Sequence, residues 1–159
     1  MAKSILDYCS IKSAYENLSK LPYGKYWFSK MIGFAVPYTG SISPRVEKVE
    51  PGFARIAMGD HRCVRNHLNS IHAAALMNLG EAASGLALNF QLPEKSKAIL
   101  TELKMEYFKK ARGILHAEGR CDVPLSNERK AYIATADIYD ASNTLVAKAT
   151  ATWLVGPTA

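Results

Sequence analysis

The sequence has few cysteines and lacks the features that would mark a secreted or membrane-spanning chain. Its three cysteines, Cys9, Cys63 and Cys121, are far apart and form no Cys-x-x-Cys pair. An odd number of scattered cysteines argues against a disulfide framework and fits a reducing compartment. The N-terminus lacks an apolar signal core, and no run approaches the roughly 18 apolar residues of a membrane span. We therefore expect a soluble, cytoplasmic protein.

No internal repeat, low-complexity tract or linker divides the chain. Its 159 residues, 48% of them hydrophobic, are enough for one domain with a sizeable core and few for two. We expect a single domain over residues 1–159. Residues 1–37 are predicted to form a helical extension, and residues 38–157 a sheet with a central helix.

Acidic residues are the scarcer charge, with 14 against 20 basic residues and a net charge of +6. That balance suits an anionic ligand, a nucleic acid or no particular partner. The basic residues are dispersed, and no stacking-aromatic motif of RNA-binding sheets occurs, so we expect no nucleic-acid partner. His61, Cys63, His67 and His72 invite a metal-binding interpretation, but their spacing matches no standard zinc site. We expect no metal.

The longest helix-compatible stretch runs from Asn66 to Phe90 and is rich in Ala and Leu. We interpret it as the central helix, with Ser70 as the predicted N-cap, because a serine hydroxyl can accept a first-turn N–H bond. Helical spacing relates five apolar residues of this stretch: Leu76, Leu79, Ala83, Leu86 and Phe90.

His72 and Glu81 are the ionisable residues of this otherwise apolar helix. Burying such groups without partners is costly, so they are candidates for function. The alternative is that neither residue has a function: His72 would be hydrogen-bonded at the helix N-terminus, and Glu81 would be partly exposed at the edge of the helix. Their separation of nine residues turns the helix through about 900°, which places them on opposite sides. If they act together, two copies of the helix must lie side by side.

The remaining pattern predicts an antiparallel sheet. The strands Ile42–Glu50 and Phe53–Met58 flank a Pro-Gly turn, which predicts a hairpin. In the next strand Thr101 falls on the mostly apolar, inward face, where it is either a buried hydroxyl bonded to backbone or a site residue. Three further strands follow from alternation: residues 115–123, 132–138 and 145–155. The order of helices and strands is that of an α+β fold.

The segment that contains Asn66, His72 and Glu81 resembles a known active-site motif. Asn66 lies six residues before His72, two small residues follow the histidine, and the acid lies nine residues after it. This pattern is similar to that of hot-dog-fold thioesterases of the phenylacetyl-CoA and 4-hydroxybenzoyl-CoA type. The resemblance implies a curved antiparallel sheet wrapped around the long central helix. The sequence departs from the family in having Ala73-Ala74 for Gly-Gly, and Glu81 for an aspartate.

The resemblance implies an acyl-CoA thioesterase whose site is shared between the subunits of a homodimer, alone or in a dimer of dimers (a homotetramer). The Ala73 N–H would stabilise the oxyanion, and Asn66 and His72 would hold or polarise the thioester oxygen. Glu81 of the facing subunit would act as general base or nucleophile, and Thr101 corresponds in position to a site hydroxyl. Coenzyme A would belong to the substrate, so no separate cofactor is implied.

Basic side chains near this segment are candidates for coenzyme A phosphates, or are simply solvated charges. They are Arg62, Arg65, Lys109, Lys110 and Arg112. Two other functions remain open. One is a non-catalytic acyl-thioester binding protein, in which the alanine and glutamate substitutions record altered chemistry. The other is a hot-dog dehydratase or hydratase, although the Pro-Gly usual after the histidine of such enzymes is absent.

The N-terminal region carries two further patterns. Apolar residues recur every three or four positions from Ser4 to Ser19, with Ser4 as candidate N-cap and Asp7 at the capping-box position, so we expect an amphipathic helix. Residues 21–37 are dense in aromatic and apolar side chains and predict one or two short helices. Three interpretations of these side chains are open: they pack against the rest of the domain, they form an apolar wall over an acyl-chain tunnel, or they cluster at a membrane surface. The pattern favours packing.

Overall fold

A computed structural model describes residues 8–158 of the chain. The helices are α1 (Tyr8–Leu18), α2 (Gly24–Ala35), α3 (Pro37–Gly40) and α4 (Ala73–Asn89), with a 3-10 turn at Arg62–Val64. The strands are β1 (Arg45–Glu50), β2 (Phe53–Met58), β3 (Ser96–Tyr107), β4 (Leu115–Cys121), β5 (Lys130–Tyr139) and β6 (Leu145–Pro157).

All six strands belong to one antiparallel sheet with the order β1-β2-β4-β5-β6-β3. The hairpin β1-β2 and the neighbouring run β4-β5-β6 are as predicted. Strand β3 crosses over to pair with β6 at the far edge. The predicted α+β architecture, a curved antiparallel sheet around a long central helix, is confirmed.

Helix α4 lies close against the sheet because small residues face each other there. The strand face Ala147, Ala149 and Ala151 is fully buried. A Cβ added at Gly80 would lie 2.6 Å from the Ala149 Cβ. One turn further along the same side of the helix, a Cβ at Gly119 of β4 would collide with the Ala83 carbonyl oxygen. Larger side chains at these positions would push the helix away from the sheet.

The predicted N-cap of α4 is wrong by two residues. His72, and not Ser70, is the N-cap, and its side chain accepts the Ala74 N–H. The buried Ser70 hydroxyl instead donates to the Asn66 side chain, 3.1 Å away. A serine already engaged by the preceding loop cannot cap the helix, and the histidine ring nitrogen takes that role.

The predicted inward orientation of Thr101 is also wrong. The pairing of β3 with β6 shifts register between Leu100 and Glu102, so Thr101 is the extra residue of a β-bulge. The bulge changes which alternate residues face the core: Ala98 and Leu100 precede it on the packed face, and Leu103 and Met105 follow it. Thr101 is exposed, and its hydroxyl donates to the Thr152 carbonyl oxygen at 3.0 Å.

The N-terminal helices largely follow the sequence pattern. Helix α1 falls within the predicted 4–19 range, while Ser4 and Asp7 lie outside the described residues. Strand β1 begins at Arg45 rather than Ile42, because Pro37 starts a further short helix and Ser43 adopts a positive φ of 49° before the strand. Within residues 8–158, no helix has the length and hydropathy needed to cross a membrane.

Candidate active site at the N-terminus of the central helix

The loop before α4 is closed by Asn66. Its Oδ1 accepts hydrogen bonds from the Leu68 N–H at 2.9 Å, the Ser70 N–H at 3.2 Å and the Ser70 hydroxyl at 3.1 Å. These contacts fix the amide with its oxygen turned into the loop. The Asn66 Nδ2 group has no acceptor among the side chains and backbone that the structure describes, so this half-buried side chain retains two donors for a ligand.

His72 is fixed by the helix that it caps. Its Nδ1 accepts the Ala74 N–H at 3.0 Å, so the proton of the neutral ring lies on Nε2. The backbone N–H of His72 donates to the Val64 carbonyl oxygen at 2.8 Å, which ties the residue to the preceding loop. The ring is exposed, and Nε2 has no partner within the described chain. The histidine therefore offers one oriented N–H donor.

Ala73 is the first residue of α4, and its N–H makes no hydrogen bond within the described residues. Unpaired first-turn N–H groups lie at the positive end of the helix dipole. The Ala73 carbonyl oxygen accepts a hydrogen bond from the Tyr107 hydroxyl at 3.3 Å. Partial burial raises the pKa of Tyr107, which keeps its phenol protonated as a donor.

The structure brings several of the predicted residues together at this helix end. A groove of about 340 Å³ is lined by Asn66, Ala73, Tyr107, Lys109 and Lys110. A second groove of about 260 Å³ contains His72 together with Arg65. The side chains of Asn66, His72 and Ala73 thus belong to adjoining surfaces around one helix terminus.

Glu81 lies elsewhere along the same helix. It lines an apolar cavity of about 150 Å³ between α4 and the N-terminal helices, with Ile11, Ile32 and Val36 among its neighbours. Its carboxyl has no hydrogen-bond or ion-pair partner among the side chains that the structure describes, those of residues 11–158. Burial raises the pKa of Glu81 because the apolar surroundings disfavour the charged form. The separation predicted from helical geometry is therefore present within the chain.

Two polar atoms beside the Glu81 cavity were not anticipated from sequence. The Oδ1 atom of Asn89 and the Nε1 atom of Trp153 are buried without partners in the described chain, and both residues line the cavity. The Asn89 Nδ2 group donates to the Gly85 carbonyl oxygen at 2.7 Å. Asn89 ended a helical pattern and Trp153 alternated in a strand, so neither pattern distinguished a site residue from a structural one.

The basic residues predicted to bind coenzyme A phosphates differ in the hydrogen bonds and ion pairs that they already form. Arg65 donates to Asp60 at 2.6 Å, and this hydrogen bond holds the pKa of Asp60 below its usual value. The Arg112 Nε donates to the Asn69 carbonyl oxygen at 3.1 Å. Arg62 is exposed and forms no ion pair with the described residues. Lys109 and Lys110, in contrast, line the groove beside Ala73.

Two other predicted features are separate from this helix end. Thr101 lines neither groove nor the Glu81 cavity. Among the side chains of residues 11–158, no three from His, Cys, Asp or Glu come together in a cluster able to hold a metal ion. The donors at the helix terminus are thus N–H groups, suited to an oxygen acceptor.

The arrangement of sheet and helix is that of the hot-dog fold, which solved structures share. A structural-genomics crystal structure of a protein with no stated function is 26% identical, with a TM-score of 0.80, covering 93% of this chain and 99% of the other. A probable thioesterase of unknown function from Pseudomonas aeruginosa is 20% identical, with a TM-score of 0.73 and coverages of 86% and 97%. A mutant form of the phenylacetic acid degradation protein PaaI from Thermus thermophilus is 23% identical, with a TM-score of 0.64 and coverages of 74% and 97%. These likenesses show that the chain has the hot-dog fold, and several of the solved structures that share it are named as thioesterases or probable thioesterases.

Residues 24–155 match the family described as a domain of unknown function, DUF4442. The chain belongs to this family. No curated protein matches the sequence.

Proposed function

We propose that the protein is an acyl-CoA thioesterase that hydrolyses a thioester to a carboxylic acid and free coenzyme A. The observation that carries the proposal is the unpaired carboxyl of Glu81 in an apolar cavity, on the helix whose N-terminus offers unpaired N–H donors. Structural neighbours named as thioesterases support the same reaction class. We also propose a cytoplasmic location and a homodimer, alone or as a dimer of dimers.

The donors at the start of α4 match the charge that develops in thioester hydrolysis. When water adds to the carbonyl carbon, its oxygen gains negative charge and needs preorganised donors. The Ala73 N–H, the Asn66 Nδ2 group and the His72 Nε2–H are the donors available there. Loss of one oxyanion donor costs roughly 3 to 4 kcal/mol in other enzymes.

Glu81 of the facing subunit supplies the base in this proposal. A carboxyl with a raised pKa is a stronger base once ionised, and it takes a proton from the attacking water. In the alternative role, the carboxylate attacks the carbonyl carbon itself, the C–S bond breaks, and coenzyme A leaves as a thiolate. The mixed anhydride that remains is then hydrolysed by water, which releases the carboxylic acid and restores the Glu81 carboxylate. Both routes need Glu81 next to the thioester carbonyl, and within one chain His72 and Glu81 line different surfaces. A second copy of α4 would bring the two together.

The Lys109-Lys110 pair is the better candidate for coenzyme A phosphates. Both lysines line the groove beside Ala73. Arg65 already pairs with Asp60, and Arg112 with a backbone carbonyl, so these arginines would have to exchange partners. Arg62 is unpaired and exposed but lies in a 3-10 turn outside that groove. We therefore propose that Lys109 and Lys110, rather than the three arginines, bind the phosphates of coenzyme A.

The test is release of free thiol from short-, medium- and long-chain and aromatic acyl-CoAs. Wild-type protein should turn over at least one of these substrates, and Glu81→Ala should lose at least about 100-fold of that rate, as expected for a general base. Glu94→Ala is a matched control, because Glu94 is an exposed glutamate outside the cavity. If no acyl-CoA is cleaved by folded protein, the hydrolase proposal fails, and acyl-thioester binding without catalysis becomes the better interpretation.

A further inference from the structure

Helix α2 has an outward face made of aromatic side chains. Tyr26, Trp27, Lys30 and Phe34 lie within an arc of about 100° on this helix, and Tyr23 immediately precedes it. We call Tyr23, Tyr26, Trp27 and Phe34 the α2 aromatic face. Their exposed fractions are 83%, 51%, 60% and 80%. Exposed helix faces are usually polar, so an open aromatic stripe of this size indicates a binding surface.

The core does not need this face. Phe28, on the opposite side of α2, is fully buried, and Ser29 beside it bonds the Val46 N–H at 2.8 Å. Ile32 and Val36 line the cavity that contains Glu81. Helix α2 therefore satisfies its packing with one side and leaves the aromatic side free.

The charged residues of the segment that carries the face have one sign. Residues 17–46 include no Asp or Glu, but contain Lys20, Lys25, Lys30 and Arg45. The Lys30 ammonium lies 5.5 Å from the centre of the Tyr26 ring. Lys30 and Arg45 both line a groove of about 650 Å³ between α2, α3 and the start of β1, and neither is in an ion pair with a described residue. Two unpaired basic side chains thus lie beside the exposed aromatic rings.

We propose that the α2 aromatic face binds the surface of an anionic lipid bilayer. Tyr and Trp rings are favoured at the level of lipid headgroups, because one end of each is apolar and the other polar. Phe34 would enter the acyl region, while Lys30 and Arg45 would meet lipid phosphates. This aromatic and basic combination is typical of helices that lie in a membrane interface. Aromatic residues and arginine are also enriched at protein interfaces, whereas lysine is depleted there, so Lys30 is the residue that favours the bilayer over a protein partner.

The same helix would connect the bilayer with the Glu81 cavity. Ile32 and Val36 face that cavity, so membrane binding would hold its α2 wall against the lipid surface. Membrane binding itself does not rest on the proposed hydrolysis, since it is measured without any thioester. Failure of one proposal therefore leaves the other unaffected.

The experiment is flotation of the full-length protein with lipid vesicles in a density gradient. Vesicles of phosphatidylcholine with phosphatidylglycerol should carry the protein upward, and vesicles of phosphatidylcholine alone should carry much less. Added salt should reduce the bound fraction, because it screens the attraction between lysines and phosphates. Lys30→Gln should weaken binding about fivefold.

Fluorescence reports the same event at the proposed surface. The chain contains two tryptophans, of which Trp27 is 60% exposed and Trp153 only 8%. Anionic vesicles should shift the emission of Trp27 to shorter wavelength as its ring leaves water. Trp153→Phe leaves Trp27 as the sole reporter, so a shift that persists in this variant assigns the signal to the aromatic face.

Matched variants distinguish binding through the α2 aromatic face from nonspecific binding through any exposed apolar side chain. The double variant Trp27→Ser/Phe34→Ser should partition into anionic vesicles at least about tenfold more weakly. Phe108→Ser/Leu125→Ser removes two exposed apolar side chains elsewhere, at 52% and 93% exposure, and should bind as the wild type does. Both pairs lie at the surface, so thermal unfolding should be nearly unchanged and serves as the folding control.

Several results would overturn the proposal. Absence of flotation with anionic vesicles, or equal binding by the Trp27→Ser/Phe34→Ser variant, would show that the face is not a membrane site. A self-associated protein that the same variant converts to a smaller species in sedimentation would show that a second copy covers the face. Salt-sensitive binding to nucleic acid, lost in that variant, would assign the face to a polynucleotide.

Discussion

At the scale of single residues, the ionisation of Glu81 is linked to stability. Burial raises its pKa in the folded protein above the ordinary glutamate value of 4.5. Between these two values the folded state binds more protons than the unfolded state, so stability falls as pH rises through the interval. Above this interval the carboxyl is ionised in both the folded and the unfolded state. Its destabilising effect on the folded state then no longer changes with pH.

Replacing Glu81 with glutamine should therefore stabilise the protein at neutral pH. The difference in melting temperature between Glu81→Gln and wild type should be positive at pH 7 and should vanish well below pH 4.5, where both side chains are neutral. Glu94→Gln, at an exposed position, should show no such difference. Thermal unfolding across this pH range measures both, and a variant that is less stable than wild type at pH 7 would contradict the description of Glu81.

His72 has two roles in this account, and two substitutions separate them. His72→Ala removes the acceptor for the Ala74 N–H and should cost about 1 kcal/mol of unfolding free energy. His72→Asp keeps a capping oxygen and should keep most of the stability, but its carboxylate has no donor, so it should slow hydrolysis at least as much as alanine does. Denaturant unfolding and thiol release measure the two effects. If the aspartate variant hydrolyses at the wild-type rate, His72 only caps the helix.

At this scale, sequence reasoning identified the unusual residues better than their contacts. Glu81 and His72 were distinguishable because ionisable groups are rare in an apolar helical pattern. Residue preference alone favours Ser70 as the N-cap. That preference does not take into account the side chain of Asn66, which accepts a hydrogen bond from the Ser70 hydroxyl. Asn89 and Trp153 gave no signal, because their lack of partners depends on tertiary packing.

At the scale of elements, the contact between α4 and the sheet depends on small residues. A methyl group at Gly80 would lie 2.6 Å from the Ala149 Cβ, and neither backbone can move easily. Gly80→Ala should therefore destabilise the protein by about 1 to 3 kcal/mol. Gly156→Ala is the matched control, because its new methyl would lie no closer than 3.8 Å to the Arg129 atoms around it.

Denaturant unfolding measures both glycine variants. The control should stay within about 0.5 kcal/mol of wild type. Equal stability of Gly80→Ala and wild type would contradict the described packing between helix and sheet.

Periodicity predicted the elements themselves well, and irregularities poorly. Alternating residues predicted β2, β4, β5 and β6. The alanine face of β6 indicated that a helix approaches closely, and the contact between Gly80 of α4 and Ala149 of β6 agrees with this. Strand β3 was found, but its bulge at Thr101 was not. A bulge is set by pairing with the partner strand, so alternation within one strand does not reveal it.

At the scale of the whole molecule, the fold followed from the sequence and the pairing order did not. A long apolar helix among alternating strands indicated an α+β domain, and the motif around His72 indicated the hot-dog arrangement. The position of β3 beside β6 depends on contacts between distant segments. The aromatic residues of α2 were expected mainly to pack, but α2 buries its other side and leaves Trp27 and Phe34 exposed.

The separation of His72 from Glu81 is the feature that links the fold to the proposed reaction. His72 caps α4, Glu81 lies nine positions further along on the helix, and the two line different surfaces of the chain. Neither surface alone combines the oxyanion donors with the carboxylate. A site shared by two subunits would combine them, with two such sites in each dimer.

Thiol release by a mixed dimer tests this claim most directly. One subunit would carry His72→Ala and the other Glu81→Gln, with a different tag on each so that only the mixed dimer is purified. Each homodimer should be nearly inactive, whereas the mixed dimer retains one intact site of two and should show about half the wild-type rate. A mixed dimer as inactive as either parent, alongside an active wild type, would contradict a site shared between subunits.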